Sequence, residues 1–407
     1  MINKRFVYIA QYFTPEPYLK DILFINDIKD KGWDPIVITG FPNYPAGKIY
    51  NGYKNRLFTV EIINGIRVIR VLTYSYHGLN AFKRVINYLT FAIFSSIAIV
   101  KYGQAKSTFY ILQSSPFVVF DAWTIRIFKR QSKIYLDIQD VFPENIRISG
   151  FIKFKAVINF IDYCLNKFYY KSFDSFIVVS NSFKKILTTK NIPEYKIETV
   201  FNWSMVEQVN VDGFDEIPIF DKKNINIVYA GNIGVHQGLS KLIIGFNTLN
   251  QVAHNIKIHF FGDGTDFEQL TNCLKDNGSV VFHGRVNSSE IRKYLKSADF
   301  LFLHLVKYPI YECIIPSKLQ AYIQIGKPIL AGLEGEAKNI ITQNSLGEVF
   351  EPENNLDFIN ALQRIICYDE LSLKEIYKRS MSLYNSEFSR KAGVDKINKF
   401  LLRQNEI

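Results

Sequence analysis

Short apolar segments alternate with helix-like segments along nearly the whole chain, and this alternation restricts the fold more than any other feature. Asn64-Gly65 joins two of these segments as the turn of a β-hairpin would. Strand–helix alternation is typical of parallel sheets that helices cover on both faces. The sequence therefore predicts an α/β protein with two Rossmann-like, doubly wound domains that face each other across a cleft. The expected strands cover residues 6–13, 35–40, 59–63, 66–71, 109–114, 133–140, 175–180 and 196–201, then 225–230, 257–261, 280–283, 300–305 and 328–331.

The length of the chain favours two domains, because 407 residues with 48% hydrophobic content can bury two cores. Apolar periodicity lapses between residues 204 and 223, where we expect a linker. Residues 1–203 are predicted to form the first domain and residues 224–385 the second. Residues 386–407 are predicted to form a C-terminal helix that could pack back on the first domain.

Cysteine and histidine usage excludes several classes of protein. The four cysteines are scattered, which fits a reducing cytoplasm, and the six histidines are dispersed, so no metal site is expected. The N-terminal segment meets a polar residue too early for a signal peptide and is interpreted as a first strand. No dinucleotide fingerprint, Walker sequence or Gly-x-Ser-x-Gly motif is present, which argues against a dehydrogenase, a P-loop ATPase and a serine hydrolase.

The segment 312–332 predicts a helix that begins near an acidic residue and ends at a glycine. Pro316 and Ser317 open this helix and Gly326 ends it, an arrangement typical of helix boundaries. The amides at such a start suit a phosphate, and Lys318 adds positive charge. Glu312 lies close enough in sequence to hold a sugar hydroxyl. An ordinary helix-to-strand connection explains the same residues equally well.

Glycine-rich loops follow most strands of the second half. Because parallel strands end at one edge of a sheet, we expect these loops to lie together and to bind a nucleotide-type ligand. Glycines that merely end strands are the alternative. The candidate ligand-binding residues outside segment 312–332 are Gly231, Asn232, Gly234, Gln237, Gly262, Arg285, Val286 and Glu336.

The first half offers fewer candidates. Asp140 and Glu144 lie just past a predicted strand, where either could act as a base or a hydroxyl ligand on the acceptor side. An Asx turn with a helix-capping Glu is an equally good interpretation. Residues 14–17 form another loop at this edge, and residues 43–47 form a stiff aromatic loop.

A basic, apolar segment indicates contact with a membrane surface. The net charge is +11, and Lys83, Arg84 and Lys101 flank an apolar span over residues 85–100 that contains Phe91 and Phe94. This span is short for a membrane crossing but suits a helix in the interface of an anionic bilayer. A second candidate covers residues 151–171. Both helices could instead simply cover a parallel sheet, and nucleic-acid binding is disfavoured because no recognition motif is present.

Several of these segments together resemble the retaining GT-B glycosyltransferases of family 4, over essentially the whole length. The matching motifs resemble a bacterial subgroup that includes N-acetyl-L-fucosamine transferases of O-antigen and capsule synthesis. They are Phe41-Pro-Asn-Tyr-Pro-Ala-Gly47 with Gly52-Tyr53, Asp140-Val-Phe-Pro-Glu144, Gly231-Asn-Ile-Gly234 with Gln237-Gly238, and Ile315-Pro-Ser-Lys318. The resemblance implies metal-independent, cofactor-free transfer from a UDP-sugar held mainly by the second domain. It also implies a polyprenyl-diphosphate-linked acceptor at the first domain and a peripheral position on the cytoplasmic face of the bacterial inner membrane.

The resemblance also implies roles for individual residues. The diphosphate would meet the Gly231–Gly234 loop, the start of the 317–325 helix and Lys318, and uracil would lie against Arg285 and Val286. Glu312 matches the first acid of the family's E-x7-E pair and would contact the donor sugar. The protein would stabilise negative charge on the departing diphosphate, and the departing phosphate would take the acceptor proton.

Three residues depart from the family pattern. Gln320 replaces the second acid of the pair, and Asn232 and Gln237 replace an Arg and a Lys beside the diphosphate. Two other functions are left open. A non-hydrolysing nucleotide-sugar 2-epimerase would have the same two-domain architecture, and Gln320 and Asn232 leave room for a non-catalytic, membrane-associated assembly protein.

Overall fold

The computed structural model describes residues 4–78, 80–140, 163, 165–204 and 219–406. The chain forms two compact units. Residues up to Val200 and residues from Gly393 onward make up the first unit, and Phe201–Ala392 make up the second. Each unit is built on its own sheet.

The first unit contains an eight-stranded sheet in the order β3-β4-β2-β1-β5-β6-β7-β8. All its neighbouring strands are parallel except β3 and β4, which form an antiparallel hairpin. The turn residues Asn64 and Gly65 both have positive φ, as a type I′ hairpin turn requires. The strands are β1 (Arg5–Ala10), β2 (Asp34–Gly40), β3 (Phe58–Ile63), β4 (Ile66–Val71), β5 (Thr108–Leu112), β6 (Lys133–Ile138), β7 (Ser175–Val178) and β8 (Ile197–Thr199).

The described α-helices up to residue 200 are α1 (Ile22–Asp30), α2 (Ala81–Tyr102), α3 (Val119–Phe128) and α4 (Asn181–Thr189). Helix α2 begins where the Asn80 side chain accepts a hydrogen bond from the Lys83 amide, an N-cap. It is long and apolar enough to cross a membrane by length and composition. One face of it, including Phe91 and Ile99, is nevertheless buried in the first unit, where α2 packs against β2, β4 and α3.

The second unit contains a six-stranded parallel sheet in the order β11-β10-β9-β12-β13-β14. Alternate residues of one strand enter different cores: Ile227 and Tyr229 lie in one apolar cluster and Val228 in the other. Both faces of the sheet are therefore covered, as in a doubly wound fold. The strands are β9 (Ile225–Ala230), β10 (Ile256–Phe261), β11 (Val280–Gly284), β12 (Phe300–His304), β13 (Ile329–Gly332) and β14 (Gly347–Phe350).

The described α-helices from residue 219 onward follow the strands as connections and end in a helical C-terminal segment. They are α5 (Ile243–Asn247), α6 (Leu249–Val252), α7 (Phe267–Leu274), α8 (Ser288–Ser297), α9 (Ser317–Ile325), α10 (Gly335–Gln343), α11 (Asn355–Ile365), α12 (Glu370–Leu383) and α13 (Arg390–Glu406). In α13, the residues from Gly393 onward belong to the first unit.

The predicted α/β class with two parallel-sheet domains is confirmed. Several predicted strands extend too far at their carboxyl ends; β1, for example, ends at Ala10 rather than at residue 13. The segments beyond the strand ends are the loops that carry polar side chains. Strand β14 was not predicted. Glu144, the segment 151–162 and most of the predicted linker (residues 205–218) lie outside the described residues.

Candidate functional site

The glycine loops of the second unit lie side by side at the carboxyl edge of its sheet. The Gly231 amide donates to the Phe261 carbonyl, and the Gly262 amide donates to the Gly284 carbonyl, so the loops after β9, β10 and β11 are bonded in series. The Ile233 amide extends this contact by donating to the Asp263 carbonyl. The predicted proximity of these loops is therefore present in the structure.

Gly231 lies directly against Lys318 at the start of α9. The backbone of Gly231 has φ of +134°, and a Cβ at this position would overlap Lys318 Cε. Only glycine avoids both the steric overlap and the backbone strain. The loop after β9 and the start of α9 are distant in sequence. They come into contact because Gly231 has no side chain and leaves room for Lys318.

Lys318 carries a positive charge that no described carboxylate neutralises. Its ammonium donates to the Tyr229 hydroxyl at 2.9 Å and lies 4.6 Å from the centre of the Tyr229 ring. The Tyr229 hydroxyl in turn donates to the Asn232 carbonyl. Burial lowers the pKa of Lys318 to about 8, because the charged form loses solvation without gaining an acidic partner. Such an ammonium is prepared for an anionic ligand.

Helix α9 has the predicted bounds and an open N-terminus. Pro316 is the N-cap residue rather than the first helical residue, and no side chain caps the helix start. The first amides of α9 therefore lack a side-chain acceptor and add their dipole to the Lys318 charge. Gly326 ends the helix in the left-handed conformation, as predicted.

Glu312 lies beside the start of the next helix. It belongs to a short 3-10 helix (Pro309–Cys313), is exposed, and has no hydrogen-bonding or ionic partner among the described residues. Its backbone packs so closely against Gly335 that a Cβ on Gly335 would overlap the Glu312 carbonyl. Glu336, the next residue of α10, is buried. Of the two predicted acids, Glu312 alone presents an exposed carboxylate.

The two residues that replace family cations bond to each other. The Asn232 side-chain amide donates to the Gln237 side-chain carbonyl at 2.9 Å. The loop is further held by His304, whose Nδ1 lies 2.6 Å from the Gln237 backbone oxygen while its Nε2 accepts from the Glu353 amide. Burial lowers the pKa of His304 to about 4, so this imidazole is neutral and its Nδ1–H donates. A neutral loop held by these hydrogen bonds lies where the family pattern has two positive charges.

The other predicted donor ligands occupy varied environments. Arg285 is exposed and lies 4.0 Å from the Asp263 carboxylate, and Val286 is half-buried against the core of the second unit. Ser317 is exposed, whereas Gln320 is 5% exposed and has no side-chain hydrogen bond given by the described residues. Gln320 therefore lies beneath the α9 surface rather than on it.

In the first unit, Asp140 is exposed directly after β6. Glu144 cannot be placed because it lies outside the described residues. No group of three or more His, Cys, Asp or Glu side chains with metal-binding geometry occurs in the described part of the chain.

The predicted membrane residues do not share one surface. Lys83, Arg84 and Lys101 are exposed and Phe94 is half-buried, but Phe91 is 1% exposed and packs inside the first unit. The prediction placed Phe91 wrongly because an apolar span alone does not tell which face of a helix meets a sheet. The exposed apolar residues of α2 are instead Phe82, Val85, Ile93, Ile97 and Val100.

Sequence reasoning missed Tyr229 and His304, which position Lys318 and the Gln237 loop. Both side chains lie in largely apolar strands, so their sequence signal is no more than a polar tip within a buried segment. His236, whose ring bonds to the Tyr311 hydroxyl at 2.7 Å, joins the β9 loop to the 3-10 helix of Glu312 and was also missed.

Comparison with known proteins relates the segment that contains this site to one protein family. Residues 212–379, which contain the glycine loops, Lys318 and Glu312, match the family model described as "Glycosyl transferases group 1". This segment is therefore similar to the group 1 glycosyltransferases. The chain is also similar to the probable glycosyltransferase WbjE of Pseudomonas aeruginosa, with 24% identity over 267 residues. That alignment covers 63% of this chain and 65% of WbjE, so less than two thirds of the relative's length is matched.

Solved glycosyltransferase structures share the fold over the whole chain. Anabaena HepE in complex with UDP covers 98% of this chain and 100% of its own, with a TM-score of 0.65 and 13% identity. The lipopolysaccharide outer core galactosyltransferase WaaB, in its apo form, covers 98% and 99%, with a TM-score of 0.63 and 13% identity. The predicted GT-B fold is confirmed by these likenesses. The family model and the curated relative are both described as glycosyltransferases.

Proposed function

We propose that this protein is a retaining glycosyltransferase that transfers a sugar from a UDP-sugar to a lipid-linked oligosaccharide. The sugar is an N-acetylated hexosamine such as N-acetyl-L-fucosamine, and the acceptor is linked to polyprenyl diphosphate in O-antigen or capsule synthesis. The observation that carries this proposal is the Lys318 ammonium, which no described carboxylate neutralises and which lies against Gly231 at the open start of α9, within the segment that matches the glycosyltransferase family. That arrangement fits the diphosphate of a nucleotide sugar.

The donor chemistry follows from charge. Negative charge develops on the diphosphate as its bond to the sugar breaks, and groups that favour this charge lower the barrier. Lys318 and the first amides of α9 supply positive charge and a dipole, and Glu312 supplies an exposed acceptor for sugar hydroxyls. The related HepE protein was solved with UDP and with UDP and glucose, which supports a UDP-sugar donor here.

We further propose that the first unit rests on the cytoplasmic face of the inner membrane, where a lipid-linked acceptor resides. Two packed helices carry this idea, because α2 and α3 are joined by hydrogen bonds from Ser95 and Ser96 to Asp121. Both leave large apolar side chains in solvent. On α3 they are Trp123, Ile127 and Phe128, and on α2 they are the five named above.

Basic residues accompany these apolar side chains. Lys83 and Arg84 lie in the first turn of α2, Lys101 in its last turn, and the Lys129 ammonium, just past α3, donates to the Val100 carbonyl. Each apolar side chain that enters a bilayer contributes roughly 1.5–3 kcal/mol, and each basic residue near anionic lipid about 1 kcal/mol. Apolar area and charge together are typical of a helix pair in a membrane interface.

Transfer is tested by following UDP release from a panel of UDP-N-acetylhexosamines with and without a synthetic polyprenyl-diphosphate acceptor. Acceptor-dependent UDP release and a product whose mass has increased by one sugar are expected. Conversion of one UDP-sugar into its epimer without UDP release would establish the epimerase instead. A folded protein that gives neither product would leave only an assembly role.

Membrane contact is tested by flotation with vesicles containing anionic phospholipid. Wild-type protein should float, and the variant Ile97→Ser/Ile127→Ser/Phe128→Ser should remain in solution. The control Leu371→Ser removes an exposed apolar residue of the second unit and should float as wild type does. Substitution of Lys83, Arg84 and Lys101 by Glu should release the protein from anionic vesicles, and unchanged flotation of both multiple variants would refute the proposal.

A further inference from the structure

Four aromatic rings form a cluster at the carboxyl edge of the first unit's sheet, in loops to which the proposed donor site assigns no role. The tyrosine–histidine cluster consists of Tyr12, Tyr18, Tyr44 and His77. Tyr12 lies at its centre, with ring centroids 5.6, 5.4 and 5.3 Å from those of the other three. Tyr12 is buried, whereas the other three rings are half-buried. The cluster therefore presents ring surface to solvent.

A buried carboxylate fixes the loops that carry these rings. Glu16 is 3% exposed and accepts hydrogen bonds from the amides of Phe13, Asn43 and Tyr44 at 2.9, 2.7 and 2.7 Å. It thereby ties the loop after β1 to the aromatic loop after β2. Burying a carboxylate costs free energy unless the carboxylate is hydrogen-bonded. These three hydrogen bonds offset that cost and hold the two loops together.

Arg70 fixes the same two loops. This fully buried side chain of β4 donates to the Gly40 carbonyl at 3.1 Å and to the Thr14 carbonyl at 2.6 Å, and it pairs with Glu61. The loops after β1 and β2 are thus fixed by two charged groups, a degree of ordering typical of binding sites.

Five buried polar atoms that have no hydrogen-bond partner among the described residues lie in loops at this same edge. The strands β4, β2, β1 and β5 are consecutive neighbours in the sheet, and the loops after three of them contain such atoms. They are Gln11 Oε1, Ser75 Oγ, Gln113 Oε1, Ser114 Oγ and Ser115 Oγ. Gln11, Gln113 and Ser115 are each at most 4% exposed. An unsatisfied buried polar group costs about 1–3 kcal/mol, so five of them at one edge indicate that these loops serve a function other than stability.

His77 adds a hydrogen-bond acceptor with a defined tautomer. The Asn43 side-chain amide donates to the Phe41 carbonyl, so Asn43 Oδ1 is an acceptor and His77 Nε2, 2.8 Å away, donates to it. Burial lowers the pKa of His77, which favours the neutral ring. Its Nδ1 then carries a lone pair that accepts no hydrogen bond from any described residue.

We propose that the tyrosine–histidine cluster binds a pyranose ring of the saccharide acceptor, with aromatic faces against the sugar's C–H groups and His77 Nδ1 accepting a hydrogen bond from one of its hydroxyls. Small-molecule sites typically combine aromatic walls with a few fixed polar groups, as this edge does. Glu16 acts as a positioning residue, because it touches the loops rather than the sugar. The inference rests on the proposed transferase function, since it identifies the acceptor side of that reaction.

Saturation-transfer NMR on the full chain with a panel of methyl pyranosides, namely the glucoside, the galactoside and the N-acetylglucosaminide, tests the cluster directly. Irradiating aromatic protons should transfer signal to the ring protons of at least one sugar. Tyr44→Ala should weaken that binding by about tenfold, equivalent to about 1.4 kcal/mol. Tyr44→Phe, which keeps the ring, should bind as wild type does, and so should Tyr195→Ala, which removes an exposed tyrosine elsewhere in the first unit.

Two further variants keep the inference testable if Tyr44→Ala fails to fold. His77→Gln should weaken pyranoside binding by about threefold, roughly 0.6 kcal/mol. Glu16→Gln should raise the KM for acceptor without changing the affinity for UDP measured by calorimetry. A variant that binds both acceptor and UDP more weakly would indicate that Glu16 has a merely structural role. Absence of saturation transfer to any pyranoside, or unchanged binding in Tyr44→Ala and His77→Gln, would overturn the inference. Pyranoside binding without sugar transfer would instead count against the proposed function alone.

Discussion

Lys318→Met should stabilise the protein at neutral pH while it weakens donor binding. The fall of the Lys318 pKa from 10.5 to about 8 corresponds to about 3 kcal/mol, at roughly 1.4 kcal/mol per pH unit. This amount is the free energy that the fold loses by burying the charged ammonium. Methionine fills a similar volume without charge, but the hydrogen bond to Tyr229 is lost, which offsets about 1 kcal/mol. The net gain in the free energy of unfolding is about 2 kcal/mol.

The pH dependence has a defined sign. The penalty applies to the charged form, so it is fully present below the folded pKa of about 8. It disappears as the pH rises from there toward the unfolded value of 10.5. The stability advantage of Lys318→Met should therefore be largest at pH 7 and should shrink by pH 10.

Urea unfolding followed by circular dichroism at pH 7 and pH 10 measures this difference. Comparison of variant with wild type at each pH cancels the titration of other groups. Lys307→Met is the matched control, because Lys307 is an exposed lysine of the same unit that pairs with Glu334 and Glu351. Its loss should change stability by no more than about 1 kcal/mol. Two results would contradict a destabilising charge at Lys318. One is a Lys318→Met protein that is less stable than wild type at pH 7, and the other is a stability difference from wild type that is the same at pH 7 and pH 10.

Three other predictions concern the donor site. Gly231→Ala should raise the KM for the UDP-sugar by about tenfold or more, because the strained backbone of about 1–3 kcal/mol and the new Cβ displace Lys318; an unchanged KM in steady-state kinetics would contradict this close approach. Glu312→Ala should reduce transfer by well over tenfold with an unchanged melting temperature, since the carboxylate is exposed and has no partner among the described residues; near-normal rates in the UDP-release assay would exclude Glu312 from the site. The apparent Kd for UDP, measured by calorimetry, should rise above about pH 8 as Lys318 loses its proton, and this rise should be absent in Lys318→Met.

The sequence predicted those helix boundaries and turns that depend only on neighbouring residues. Pro316 and Gly326 set the bounds of α9, and Asn64-Gly65 set the hairpin, because caps and turns depend on neighbouring residues. The clustering of glycine loops also followed from sequence, since parallel strands share one carboxyl edge. The fold class needed nothing more than the alternation of strands and helices.

The contacts that give the site its chemistry could not be predicted in this way. Lys318 meets Tyr229 across 89 positions of sequence, and Glu16 meets Asn43 across 27, so neither pair has a local pattern. The burial of Phe91 depended on which face of α2 the sheet covers. Such features depend on side-chain packing between distant segments, which periodicity does not encode.

The return of the chain to the first unit affects the order in which the protein can be completed during synthesis. Helix α13 supplies partners to several parts of that unit: Asn398 bonds to the Trp33 indole, Asp395 pairs with Lys31, and Gln404 bonds to Ser175 and to the Tyr195 carbonyl. These groups of the first unit emerge from the ribosome long before residues 393–407 do. The second unit is continuous in sequence and can complete its core first. The first unit is translated earliest, but its packing is completed last, when residues 393–407 have been made.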